Sequence, residues 1–215
     1  MAVAAAVTEE IVAPKEFLSS DEFLEWLDPG IHADLIAGEI FMHSPVSFKH
    51  ANLLNFVDPL LRLYIAEKRL GQLYREVVAV KLGSRHTFLP DLCFFTNEQV
   101  RQLQPNFAPF APTLVVEALS PGSETRDRRQ KFAAYEEFGV QEYWILDPHQ
   151  SAHQFYRRRG EVLRSIGESA EEKLLSEVIP GFYLWRRWLN GGDFPDVMAC
   201  LKEIRAASAG AETGP

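Results

Sequence analysis

Apolar and polar positions change period several times along this chain, and each change predicts an element. Phe23, Leu24, Trp26 and Leu27 share one helical face directly after Ser19, and Glu22 three residues on completes a capping box. Two short runs, 33–36 and 39–42, flank Ala37-Gly38 and predict a tight β-hairpin. Leu53, Val57, Leu60, Leu61 and Tyr64 then recur at helical spacing, interrupted by Pro59, which predicts a kink or a new start there. Three strand-like runs follow over 73–82, 88–95 and 113–119. The connection 96–112 carries Pro105, Pro109 and Pro112 and predicts little beyond a helical turn over 98–103. A helix is predicted over 125–138, stopped by Gly139, and a strand over 142–146. A hairpin is predicted over 153–166 around Arg159-Gly160, a helical turn over 184–189, and a C-terminal helix over 194–206.

The runs Leu114 to Leu119 and Tyr143 to Leu146 lack alternation. Strands buried on both faces read this way, and a helix between two of them is the signature of a parallel pair joined by a crossover. The expected class is therefore α/β. The expected organisation is a disordered tail over 1–14, one domain over 15–190, and a C-terminal helix with a disordered end over 191–215.

Composition narrows the function classes. The 215 residues are 47% apolar and 24% charged, which excludes a disordered chain and a disulfide scaffold. Twenty-two basic against thirty acidic residues give a net charge of −8, so no broad sheath for duplex phosphate is expected, although local basic patches are compatible with it. Cys93 and Cys200 have neither metal-ligand nor disulfide spacing. No apolar stretch predicts a membrane span, and the first dozen residues carry Glu9 and Glu10 without a basic start, unlike a signal peptide. A cytoplasmic location is expected.

Two charges stand where burial is predicted. Asp91 lies in Phe88-Leu89-Pro90-Asp91-Leu92-Cys93-Phe94-Phe95, and Glu117 lies inside the Val/Leu run. A carboxylate in such surroundings must be paired, protonated or bound to a cation. Two of them on neighbouring strands could hold a hard divalent ion. The competing reading is one structural ion pair each, with Arg75, Lys81 or Arg126 as partners. Lys131 shares a helical stripe with Tyr135 and Phe138, so its ammonium could approach Glu117; an i, i+4 pair with Asp127 is the simpler expectation. Arg157-Arg158-Arg159 reads as solvated charge at a hairpin tip. With Arg126, Arg128 and Arg129 it could instead form a phosphate-contacting rim.

Pro90-Asp91, Val115 to Pro121, Arg126-Asp127-Arg128 with Lys131 and Tyr135, and Gly139 to Pro148 together resemble the Putative restriction endonuclease domain family of the PD-(D/E)XK nuclease-like superfamily. Asp34 to Glu39, Ser44-Pro45 and His50 resemble its N-terminal hairpin and the following helix. The resemblance runs from about Phe17 to Trp188. It implies a restriction-endonuclease-like mixed central β-sheet flanked by helices, with an N-terminal helix and β-hairpin. It also implies metal-dependent hydrolysis of phosphodiester bonds in DNA. Asp91 and Glu117, with the Ala118 carbonyl, would hold Mg²⁺ or Mn²⁺; Lys131 would be the catalytic lysine; Asp34 and His50 would be auxiliary. Leu119 stands where the superfamily pattern carries lysine, and Lys131 is the substitute from a neighbouring helix. Asp34 stands where the family hairpin more often has glutamate. By analogy a homodimer is expected, with the Phe155-Tyr156 hairpin and the aromatic C-terminal segment as its contacts. The alternatives are a catalytically inactive nuclease-fold binding module, in which Asp91 and Glu117 would be satisfied internally without metal and which cover of both by arginines would favour, and hydrolysis of another phosphate ester.

Overall fold

A computed structural model of the chain describes residues 17–28, 30–75, 78–166, 173–190 and 192–212. The tail expected over 1–14 lies outside the described residues.

Helix α1, Ser20–Trp26, begins at the expected capping box: the Ser19 N–H donates to Glu22 Oε2 at 2.8 Å and the Glu22 N–H donates to Ser19 Oγ at 3.3 Å. Strands β1 (Ala33–Ile36) and β2 (Glu39–Met42) form the expected hairpin. Ala37 and Gly38 both turn through positive φ (52° and 91°), which matches the strand twist in a two-residue loop. Helix α2, Phe48–Lys68, runs through Pro59 as one helix, with no new start there. Its buried face, Leu53, Leu54, Phe56, Val57, Leu60, Leu61 and Tyr64, is long enough that packing outweighs one lost backbone bond.

The strand runs divide differently from their apolar pattern. Residues 73–82 supply β3 (Gly71–Arg75) and β4 (Ala79–Leu82), and residues 88–95 are shared between β5 (His86–Phe88) and β6 (Leu92–Thr96). Pro90 marks the second break, since it has no N–H for a ladder. Each run crosses from one sheet to the other. After α3 (Asn97–Val100), β7 (Phe107–Ala108) pairs parallel with β4 and ends a five-stranded sheet of order β2-β1-β5-β4-β7.

The second sheet is six-stranded and mixed. It contains β8 (Leu114–Ala118), β9 (Glu142–Leu146), β10 (Gln154–Arg159) and β11 (Val162–Ile166), in the order β11-β10-β9-β8-β6-β3. The β8–β9 pair is parallel and every residue of both strands is buried, as their unbroken apolar pattern predicts. The crossover between them is helical, but not uniformly so. Arg126–Lys131 wind as a π-helix before α4, Phe132–Glu137, closes the element.

The C-terminal segment adds β12 (Lys173–Leu175), β13 (Tyr183–Trp185), α5 (Arg186–Leu189) and α6 (Val197–Glu212). Helix α6 extends past the expected end near 206 into an alanine-rich stretch of high helix propensity. Its Cys200, Leu201 and Ile204 join the same core as α2. The hairpin turns at Gly160-Glu161 instead of Arg159-Gly160, because Arg159 pairs with Val162. Its Phe155 is buried against Trp144, and Tyr156 packs on Phe132 and Tyr143, so this pair is not the exposed contact expected of it. Among the described residues no helix is long and apolar enough to cross a membrane.

Two apolar clusters cover the two faces of the six-stranded sheet. One joins α2 and α6 to Phe94, Leu114, Val116 and Trp144. The other joins α4 and the five-stranded sheet to Cys93, Phe95, Val115 and Ile145. Alternation along β8 thus sends 114, 116 and 118 toward α2, and 115 and 117 toward α4.

A buried histidine pins the end of β9. His153 Nδ1 accepts the Asp147 N–H at 3.0 Å, which leaves Nε2–H to donate to the Leu189 carbonyl at 3.2 Å. Burial lowers this imidazole from 6.5 to about 4, against the smaller opposing effects of the Leu189 carbonyl and Asp147. Because the folded value is depressed, the unfolded chain takes up this proton first as pH falls below 6.5. Stability should therefore decline between pH 6.5 and 4, by on the order of 3 kcal/mol from this residue. Urea midpoints measured across that window should fall for the native protein and fall less for His153→Gln.

Candidate active site

The register of the central sheet brings the two singular carboxylates together. Leu92 pairs with Val116 and Cys93 with Val115 across the β6–β8 antiparallel pair, so one further step sets Asp91 opposite Glu117. Side chains alternate along a strand, and both carboxylates project to the α4 side. Asp91 Oδ2 accepts the Ala118 N–H at 2.7 Å, and Glu117 Oε2 accepts the Asp91 N–H at 3.5 Å. Each acid is thus positioned by the other's strand.

The crossover helix supplies the cation. Asp127, Lys131 and Tyr135 lie four residues apart, and the wide turn of the π segment points all three inward, each nearly fully buried. π segments inside helices are frequent at functional sites. Lys131 Nζ lies 3.0 Å from Glu117 Oε1, 2.9 Å from Asp34 Oδ2 and 3.5 Å from Asp127 Oδ1. The Tyr135 hydroxyl donates to the same Glu117 oxygen at 2.9 Å. Both expectations for Lys131 hold at once: it meets Glu117 and it pairs with Asp127.

The hairpin closes the cluster from the other sheet. Asp34 on β1 is 1% exposed, accepts the Leu89 N–H at 2.8 Å, and lies 3.0 Å from His43 Nε2. His50, on the first turn of α2, sits with Nε2 3.6 Å from Asp91 Oδ1. Asp34, His50, Asp91, Glu117, Arg126 and Lys131 all line one cavity of about 450 Å³.

Four carboxylates therefore share this space with one ammonium. Burial pushes the Glu117 carboxyl up to about 8; Lys131 opposes this, and Asp127, Asp91 and Asp34 add to it. Burial also raises Asp127, over the opposing influence of Lys131 and a hydrogen bond from Ser123. At Asp34 burial acts upward too, but Lys131 and His43 outweigh it and hold the carboxyl well below the usual range. Lys131 is held strongly cationic, since its carboxylates overcome its own burial.

The five residues singled out in the sequence, Asp34, His50, Asp91, Glu117 and Lys131, thus converge, with the Ala118 amide donating to Asp91. Asp127 and Tyr135 complete the cluster; their spacing of four from Lys131 is the sequence signal, a local pair and a shared stripe. His43 had no sequence signal, because Asp34 reaches it across the hairpin. The arginine rim does not form as expected. Arg157 pairs with Glu142 and Glu177, Arg158 donates to the carbonyls of Val140 and Glu136, and Arg159 pairs with Glu177. Arg128 pairs with Glu124 and Asp147. These are structural contacts, and of this set Arg126 lines the cavity.

A crystal structure of a putative nuclease belonging to DUF820 from Anabaena variabilis superposes with a TM-score of 0.68 over 86% of this chain and 99% of that one, at 18% identity. An uncharacterized protein of Synechocystis sp., sll1609, is 25% identical over 167 residues, covering 75% of this chain and 94% of that protein. Residues 20–187 match the profile of the Uma2 family, Putative restriction endonuclease, and the chain belongs to that family.

Proposed function

We propose that this protein is a metal-dependent endonuclease that hydrolyses phosphodiester bonds in DNA. The observation that carries this reading is the surplus of carboxyl groups over cations in one cavity. Asp34, Asp91, Glu117 and Asp127 line one cavity with Lys131, and Glu117 is raised to about 8 although that ammonium is 3.0 Å away. Such a surplus suits a divalent cation, and the donors are hard carboxylate oxygens of the kind Mg²⁺ and Mn²⁺ take.

Asp91 and Glu117, with the Ala118 carbonyl, would hold the ion. When bound, it would lower the pKa of a water and polarise the phosphate. The chain's own groups do the rest. Lys131, kept protonated by its carboxylates, offsets charge developing on phosphoryl oxygens, and Tyr135 and Asp34 fix its position and that of Glu117. His50 orients the outer edge of Asp91. The non-catalytic reading expects both acids to be satisfied internally, and cover by arginines would favour it most. Among the described residues the ion pairs of Asp91 and Glu117 are instead to His50 and Lys131.

Calorimetric titration of Mg²⁺ and Mn²⁺ tests the reading without a guess at the substrate sequence. Wild type should bind, and Asp91→Ala should lose at least about 100-fold in affinity while keeping its circular dichroism. Cleavage of plasmid and single-stranded DNA should then require the metal. A wild-type protein that neither binds metal nor cleaves in its presence would sink the proposal.

A further inference from the structure

Most of the other basic side chains considered for phosphate contact are already committed, and Arg129, which is exposed, does not line the cavity. Lys131 is surrounded by three carboxylates, Arg128 is paired twice, and Arg157 to Arg159 are bound to glutamates and carbonyls. Arg126 differs. It lines the same cavity as Asp91, Glu117 and Lys131, and its guanidinium carbon sits 5.3 Å over the Phe41 ring of β2. Its Nε is buried with no hydrogen-bond acceptor among the described residues, and no carboxylate there pairs with it. A buried N–H of a charged group without an acceptor is costly, so its retention calls for an acceptor that arrives with a ligand.

The ligand's chemistry follows from the surroundings. The cavity's carboxylates face Lys131, His43 and His50, and among the described residues none reaches Arg126, so the missing acceptor is external. The aromatic ring restrains a planar fork whose edge offers several donors, a geometry suited to paired phosphate oxygens. The geometry points to Arg126 as a phosphate-binding residue that seats a backbone phosphate of the substrate strand beside the Asp91–Glu117 pair. Phe41 is the positioning residue that aims it. This rests on the nuclease reading and adds to it the group that holds the strand. It would give an acidic chain an aimed contact to a polyanion inside the cavity.

The test uses the full chain and a labelled DNA oligonucleotide, single-stranded and duplex, with Ca²⁺ present and salt varied. Cleavage is then measured in Mg²⁺ or Mn²⁺. Arg126→Ala should weaken binding about ten- to a hundredfold and reduce the slope of log affinity against log salt by about 0.7–0.9, one phosphate's worth. Arg126→Lys should restore the slope and part of the affinity, because it returns the charge without the fork. Phe41→Leu should weaken binding with the slope kept. Unfolding midpoints should be unchanged in the arginine variants, which lose no internal ion pair. A native protein that cleaves while Arg126→Ala binds with unaltered affinity and slope would overturn this assignment and leave the nuclease reading standing. Weaker binding with an unaltered slope and a lowered midpoint would also overturn it, by showing a structural role. A native protein that neither binds nor cleaves DNA would remove the nuclease reading and this assignment together.

Discussion

Glu117→Gln should abolish metal-dependent DNA cleavage, by about 10³-fold or more, while leaving the fold intact. The amide keeps the size of the side chain and its hydrogen-bonding capacity toward Tyr135 and Lys131, but it removes the negative oxygen that a divalent cation requires. Stability should change little at neutral pH for a specific reason. The folded carboxyl titrates near 8 against an ordinary value of 4.5, so near pH 7 it largely retains its proton, and glutamine resembles that state. The sign of the linkage is definite. A raised carboxyl contributes its stability fully below the unfolded value and loses it as pH climbs through the window from 4.5 to 8. A bound cation reverses the preference by favouring the ionised form. Metal binding near pH 7 should therefore expel about one proton, and affinity should strengthen as pH rises toward 8. Titrations in two buffers of different ionisation enthalpy would measure that proton directly. Equal heats in both buffers, or cleavage by the glutamine variant at the native rate, would contradict the assignment of Glu117.

Lys131→Met should be the most destabilising single substitution in the site. Its ammonium is the shared partner of Asp34, Glu117 and Asp127, all of them buried. Removing one member of a buried charge cluster leaves its ionised partners, Asp34 foremost, uncompensated, at about 3–5 kcal/mol, which in a protein of this size lowers the melting temperature by about 6–20 °C. The pH dependence follows from Asp34, whose carboxyl is held well below its ordinary 3.8 against its own burial, chiefly by Lys131. A depressed acid stabilises the fold above the unfolded value and loses that contribution as pH falls through the folded one. The deficit of Lys131→Met should thus be largest near neutrality and narrow in acid below the ordinary aspartate range. Mn²⁺ or Mg²⁺ should also raise the melting temperature of this variant more than that of the native protein, since a divalent cation then meets a larger negative excess. Differential scanning calorimetry across pH, with and without metal, reads both effects. An unchanged melting temperature would show that the ammonium does not hold this cluster together.

The sequence exposes some parts of this site and conceals others for physical reasons. Asp91 and Glu117 stand out because a charge inside an unbroken apolar run conflicts with the burial which that run demands. Lys131 is visible for a related reason, as a cation on the stripe of Tyr135. Asp34 is legible only through the family resemblance, since alternation in a short hairpin tolerates an acid on either face. His43 and Arg126 depend on contacts across the hairpin and from hairpin to crossover helix. The π turn at Arg126–Lys131 leaves no mark in the apolar period, which is why the spacing over 125–138 reads as an ordinary helix.

Several elements were local information, and so the sequence by itself determined them. The capped first helix, the Ala37-Gly38 hairpin, the two fully buried strands and the helical crossover between them all follow from caps, turn residues and periodicity, which act within a few residues. So does the presence of two acids that need a partner. Which sheet each strand joins was decided by the tertiary structure. The runs 73–82 and 88–95 look continuous because burial on either sheet produces the same apolar pattern, yet each is divided between the two sheets. The closing of the site was decided there as well. Asp34 meets the amide of Leu89, 55 residues away, and the ammonium of Lys131, and these meetings exist only once both sheets and the crossover helix have packed. Coulomb and hydrogen-bond energies depend on distance in space, and separation along the chain carries no record of it.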